Sequence, residues 1–241
     1  MDRVYKIQKS RRRQVDFPEI CVMMYEHMKK EEAFVMETKG KLFLRAVLAG
    51  ICIGIGGTVY LACSNKYVGA FLFSIGLFAI LTRGFALYTG MVGYLPENLH
   101  VDYVIRLLVV LAGNLVGTAC MGLPLVLTRQ KELCQTAADM CAVKVGDSYL
   151  SLLILAIGCG ILMYLAVDGF KRSNDPLIKV LGIFLGVPVF ILCGMEHSIA
   201  DMYYISAGMA WSMKAVLCLV VIILGNGIGG VLIPLITSKT K

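Results

Sequence analysis

Residues 194–202 read Gly194-Met195-Glu196-His197-Ser198-Ile199-Ala200-Asp201-Met202, inside an otherwise apolar run from Leu177 to Trp211. A charged side chain at the centre of a bilayer costs about 2.5 to 3.5 kcal/mol on insertion scales, so it is retained where it faces a protein-lined cavity. A loop between two short apolar segments would also accommodate Glu196 and Asp201. The better reading is a membrane helix broken at mid-depth, its polar groups turned toward a permeation path.

Composition fixes the class around this stretch. A mean hydropathy of +0.78 excludes a soluble domain. Apolar runs long enough to cross about 30 Å of hydrocarbon occur near 43–63, 67–82, 104–127, 149–167, 177–209 and 213–236. Six spans in one channel domain, 43–236, are therefore expected. A basic segment, 1–42, precedes it and a short tail, 237–241, follows. The sizeable polar stretches are the first forty residues and the 128–148 connection, so no separate catalytic domain is expected.

The formal charge of +7 is not a nucleic-acid signal, because eleven of the 23 Lys and Arg lie in residues 1–45. The positive-inside rule keeps this leader in the cytoplasm, as an uncleaved segment with an interfacial helix over roughly 19–38. Six spans then return the C-terminus to the same side, where Lys171-Arg172 also falls. The nine cysteines include six within apolar spans, read as small packing residues. Only Cys134 and Cys141 are candidates for a disulfide, and nothing in the chain requires one. No cysteine and histidine spacing suggests a metal site.

The chain repeats itself. Gly113-Asn114-Leu115-Val116-Gly117 returns as Gly225-Asn226-Gly227-Ile228-Gly229, 112 positions later. The interruption of span two, Thr82-Arg83-Gly84-Phe85-Ala86-Leu87-Tyr88-Thr89-Gly90, precedes that of span five by 110 positions from Gly84 to Gly194. Two halves of three spans each must be inverted relative to one another. Paired interruptions at corresponding places point to a central site. Gly-x-x-x-Gly lets helix backbones approach closely, a structural role.

Water and glycerol channels share such a plan but carry Asn-Pro-Ala at both interruptions, and this chain has no Asn-Pro. Its break in span five instead resembles that of the formate/nitrite transporter family, Gly-[Phe/Tyr]-Glu-His-Ser-Ile-Ala-Asn-Met, departing at Met195 and Asp201. Gly84 to Gly90 resembles the family's omega loop, with Tyr88 in place of Phe. Phe73, Leu77, Leu87 and Phe190 match its apolar constrictions, and Lys144 a vestibule lysine. Two further departures are Gly160, where relatives often carry Asn, and Phe34, where they carry Lys; Lys39 or Lys41 are candidate replacements.

The resemblance implies an all-α, aquaporin-like membrane protein of six helices, with helices two and five interrupted. It also implies a homopentamer in the cell (inner) membrane, with one pore per protomer and both termini cytoplasmic. Its substrates would be small monovalent anions, formate first, with nitrite and hydrosulfide as alternatives. No cofactor, enzyme activity or nucleic-acid partner is implied. A neutral-solute channel for water or glycerol is the alternative of a different class. A membrane enzyme using His197 and Glu196 as an acid/base pair would need a second polar cluster at depth.

On this reading Lys144, with Lys131 and Arg129, concentrates anions before an apolar ring of Phe73, Phe190, Leu77 and Leu87. The broken helices present free N–H groups at the centre. There His197 either donates a proton or orients the anion, with Thr89 and Ser198 as hydroxyl donors and Tyr88 in the loop. Gly84, Gly194 and Glu196 are assigned to holding the breaks, Glu196 by binding backbone N–H groups.

Overall fold

The computed structural model describes residues 38–238. The expected interfacial helix over 19–38 and the departure at Phe34 fall almost wholly outside the described residues. From Lys39 onward the described chain is helical. Helix α1 is Lys39–Ala62, starting a turn before the expected span. Asn65 then caps α2, Lys66–Arg83, by accepting from the Tyr67 and Val68 N–H groups. Gly84, at φ 67°, ends α2 in the left-handed region, where a side chain would be strained. The chain re-enters helix at α3, Tyr88–Met91, and continues as a 3-10 turn over Val92–Glu97. Helix α4, Val101–Gly122, tightens into 3-10 turns over Leu123–Leu127.

The second half repeats this course. After α5, Lys131–Gly146, come α6, Tyr149–Arg172, and α7, Pro176–Leu192. Gly194, at φ 64°, is the twin of Gly84. The chain restarts at α8, Ser198–Ala207, and closes with α9, Met213–Ser238.

The break expected in span five is present, and one expectation needs correction. Five described helices are long and apolar enough to cross a membrane, counting α4 with its 3-10 extension. The fifth expected span, 177–209, is divided at its expected break into α7 and α8, because the chain cannot continue α-helix through Cys193–His197 with Gly194 left-handed. The correction concerns the cysteines of the 128–148 connection. Most of it is α5, whose Leu133, Ala137 and Cys141 are buried one turn apart along one face. Cys134 and Cys141 therefore stand seven residues apart on one helix, about 10 Å by rise, too far to bridge. Both are free thiols.

Glycine decides which helices pair. A Cβ on Gly113 would come within 2.5 Å of the Ala46 Cβ, and one on Gly225 within 2.5 Å of the Ala156 Cβ. Gly117 lies against the Val47 carbonyl and Gly229 against the Ile157 carbonyl, closer still. Thus α4 packs on α1 and α9 on α6, backbone to backbone, and α2 meets α7 across the centre. Large apolar side chains such as Leu44, Phe71, Leu108, Leu150, Leu185 and Leu224 remain on the outside. That is the pattern of a protein whose solvent is hydrocarbon. It is a multi-pass membrane protein.

Candidate functional site: two helix breaks facing one another

Each break is held by one asparagine from the last long helix of its half. The Asn114 amide donates to the Ala46 carbonyl at 2.8 Å and the Ala86 carbonyl at 2.9 Å, and its oxygen accepts from the Tyr88 N–H at 2.9 Å. The Asn226 amide donates to the carbonyls of Ala156, 2.9 Å, and Glu196, 2.8 Å, and accepts from the Ser198 N–H at 2.8 Å. Both asparagines are fully buried. A helix broken inside hydrocarbon exposes carbonyl and N–H groups that water cannot reach, and one primary amide satisfies both kinds. Arg45 adds a cap on the first break, donating to the Gly84 carbonyl through Nε at 2.9 Å and also through Nη2.

His197 is the N-cap of α8. Its Nδ1 accepts from the Ala200 N–H at 3.1 Å, which assigns the ring proton of the neutral imidazole to Nε2. Nε2 lies 3.0 Å from the Thr89 hydroxyl on α3. The two breaks thus meet through one side-chain hydrogen bond between residues 108 apart in sequence. A second ring proton on Nδ1 would face the Ala200 N–H and the positive end of α8, so this geometry belongs to the neutral ring.

Phe190 stacks on His197, with ring centroids 5.5 Å apart and planes at 19°, and meets Phe73 edge-on at 6.4 Å. On one side of these rings opens a cavity of about 450 Å³, whose wall includes Lys144, Glu196, His197, Asp201, Phe73 and Phe190. Leu77 and Leu87 line a second, smaller space of about 40 Å³ that also reaches Lys171. The expected apolar residues are thereby grouped in two layers, Phe73 with Phe190 and Leu77 with Leu87.

Other expected site residues lie elsewhere. Tyr88 is not among the residues lining either cavity and donates from its hydroxyl to the Ile223 carbonyl on α9 at 3.2 Å. The Ser198 hydroxyl is buried and makes no hydrogen bond to described residues; its backbone N–H serves Asn226. Lys144 is on the cavity wall but is not a solvated lysine. Its ammonium pairs with Glu196 and lies 3.0 Å from Asp201. Burial alone would lower its pKa, but the Asp201 and Glu196 carboxylates overcome this and hold it above the usual lysine value. The Glu196 carboxylate accordingly binds Lys144, while the Glu196 backbone is what Asn226 holds.

The sequence reading missed three participants. Asn114 and Asn226 stand in the repeated Gly-Asn-x-x-Gly segments, where the sequence assigns a role only to the glycines, and Arg45 belongs to no motif. Gly160, read as a lost polar pore group, is a packing residue. A Cβ there would run into the Asn226 carbonyl, as one on its counterpart Gly50 would into that of Asn114. Among the described residues no cluster of His, Cys, Asp or Glu could hold a metal ion.

The family model described as formate/nitrite transporter matches residues 19–238. This chain belongs to the formate/nitrite transporter family. It is 28% identical over 194 residues to a formate-nitrite transporter of Plasmodium ovale, a match covering 67% of this chain and 62% of the relative. A probable formate transporter of Methanothermobacter thermautotrophicus is 28% identical over 233 residues, covering 79% of this chain and 85% of the relative. Among solved structures, a pentameric formate channel with formate bound superposes with a TM-score of 0.72 at 24% identity, over 85% of this chain and 98% of that one. That likeness carries the fold. The breaks, the paired halves and the central cavity are arranged on a scaffold this family shares.

Proposed function

We propose that this protein conducts small monovalent anions of weak acids across a membrane, formate first, through a pore in each protomer of a homopentamer. It is a channel and not an enzyme. The observation that carries the reading is the neutral His197 imidazole, its Nε2–H beside the Thr89 hydroxyl behind the Phe73 and Phe190 rings. An anion losing its water at those rings meets a donor at the one polar place between two apolar layers. His197 orients it through a hydrogen bond, and its role as a helix cap keeps the ring neutral. The N-terminus of α8 adds a favourable dipole. Nitrite and hydrosulfide, also small and monovalent, suit the same donors.

The basic leader, residues 1–42, and the Lys171-Arg172 pair support cytoplasmic termini in the inner membrane. A neutral-solute channel is the competing reading, favoured by the apolar layers alone. Uptake into proteoliposomes of formate, nitrite, hydrosulfide and glycerol separates the two. Saturable formate uptake with glycerol excluded is expected, and glycerol uptake without formate uptake would replace this reading. Native mass in mild detergent should be about five times 26.3 kDa.

A further inference from the structure

Lys144, Glu196 and Asp201 form a buried group with one cation and two carboxyls. The Lys144 ammonium pairs with Glu196 and lies 3.0 Å from Asp201 Oδ1, with side-chain exposures of 15%, 8% and 3% respectively. Asp201 Oδ2 is buried and receives no hydrogen bond from any donor among the described residues. The Glu196 and Asp201 carboxyls thus meet at the same ammonium. One ammonium balances one carboxylate, so two ionised carboxylates leave a buried charge uncompensated, whereas a carboxyl and a carboxylate leave the group neutral. Lys66, the other cation on the cavity wall, is exposed at the start of α2. Asp201 stands where the family pattern has asparagine, so the second carboxyl is this chain's own.

We propose that the Lys144–Glu196–Asp201 group is a proton-binding site at the mouth of the passage, and that Asp201 makes anion entry depend on the bound proton. With the proton the group is neutral: one ammonium, one carboxylate, one carboxylic acid. Without it the group carries a net negative charge on the cavity wall, at low dielectric, and repels the anion. The proton is exchanged with water in the cavity and forms no covalent bond with substrate.

Among the described residues the groups around Asp201 offer no other charge partner. From α5 come Lys144 and Cys141, from α6 Cys159, from α8 Tyr204 and from the break Glu196. Cys218 of α9 lines the adjoining recess. The thiols and the phenol are neutral in water near pH 7.

The proposal rests on the transport reading, so its test has one readout that needs no transport. In the full-length protein in detergent at neutral pH, infrared difference spectra should contain a carboxylic-acid C=O band that is absent from D201N. In proteoliposomes, wild-type formate uptake should fall about tenfold per pH unit once the site loses its proton. D201N and E196Q each leave a balanced ion pair and are isosteric, so they should hold their rate across that range and exceed wild type by about tenfold or more at its alkaline end. No such band in the wild type, or a D201N pH profile that superposes on the wild-type one, overturns the proposal. The band present in a protein that carries no acid in any variant would sustain the proton site and remove the transport reading instead.

Discussion

Asn114 and Asn226 perform the same three-bond task on opposite breaks: each donates to two carbonyls and accepts from one N–H, all within 2.8–2.9 Å. Their carbonyl targets, Ala46 and Ala156, and Ala86 and Glu196, lie 110 positions apart, as do their N–H donors Tyr88 and Ser198. The repeat in the sequence is thus a repeat of hydrogen bonds. It places the free ends of α2, α3, α7 and α8 in register around His197 and Thr89.

Replacing either asparagine by alanine orphans one carbonyl and one N–H at the break where water is excluded, while the Ala46 or Ala156 carbonyl keeps its own helical bond. At about 1 to 3 kcal/mol for each unsatisfied group, Asn226→Ala should lose the folded oligomer or lower its melting temperature sharply in detergent. Asn226→Asp keeps the acceptor and loses both donors, so it should be no better than the alanine variant. A melting curve unchanged in either variant would mean that the breaks are held by packing alone.

His197→Asn separates the cap from the donor. Asparagine caps helices well, so assembly and thermal stability should stay near wild type. The Nε2–H is lost, and at about 1.5 to 3 kcal/mol for a hydrogen bond to a charged group, formate uptake should fall roughly 10- to 150-fold. Its pH profile should keep the wild-type shape, because the ring acts neutral. His197→Phe loses cap and donor together and should abolish uptake.

Lys144→Ala should behave as the loss of a buried partner. Two carboxyls remain without their cation, and removing one member of a buried ion pair costs about 3 to 5 kcal/mol. Lys144→Ala combined with Glu196→Gln and Asp201→Asn should recover much of the lost stability in thermal scans. The sign of the pH effect follows from the raised lysine pKa. The contribution of the charged ammonium is complete below the ordinary value of 10.5 and disappears only as pH rises through the higher folded-state value. Stability should therefore show no lysine-linked step at neutral or mildly alkaline pH.

Gly160→Asn tests whether that position belongs to the passage. A side chain there collides with the Asn226 backbone, so the variant should fail to assemble instead of gaining a polar pore group. Gly50→Ala should fail in the same way, since its Cβ meets the Asn114 carbonyl. Gly146→Ala, with nothing within 4 Å of the added carbon, should be neutral in size-exclusion and melting assays.

The sequence by itself determined the spans, the two breaks and their pairing. Hydropathy fixes which segments lie in hydrocarbon, and a polar or glycine interruption there is costly enough to stand out, as Gly84 and Gly194 did. His197 was legible for the same reason. Only the tertiary structure decided what the polar groups bind. Lys144 and Glu196 are 52 residues apart, and His197 and Thr89 are 108 apart. Composition therefore could not tell a solvated vestibule lysine from one paired with two carboxyls, or show that Asn226 rather than the Glu196 carboxylate holds the second break. Hydrophobic burial is local and additive along a chain, so it can be read from the sequence. Electrostatic pairing falls steeply with distance and awaits the packing of α5 against α8.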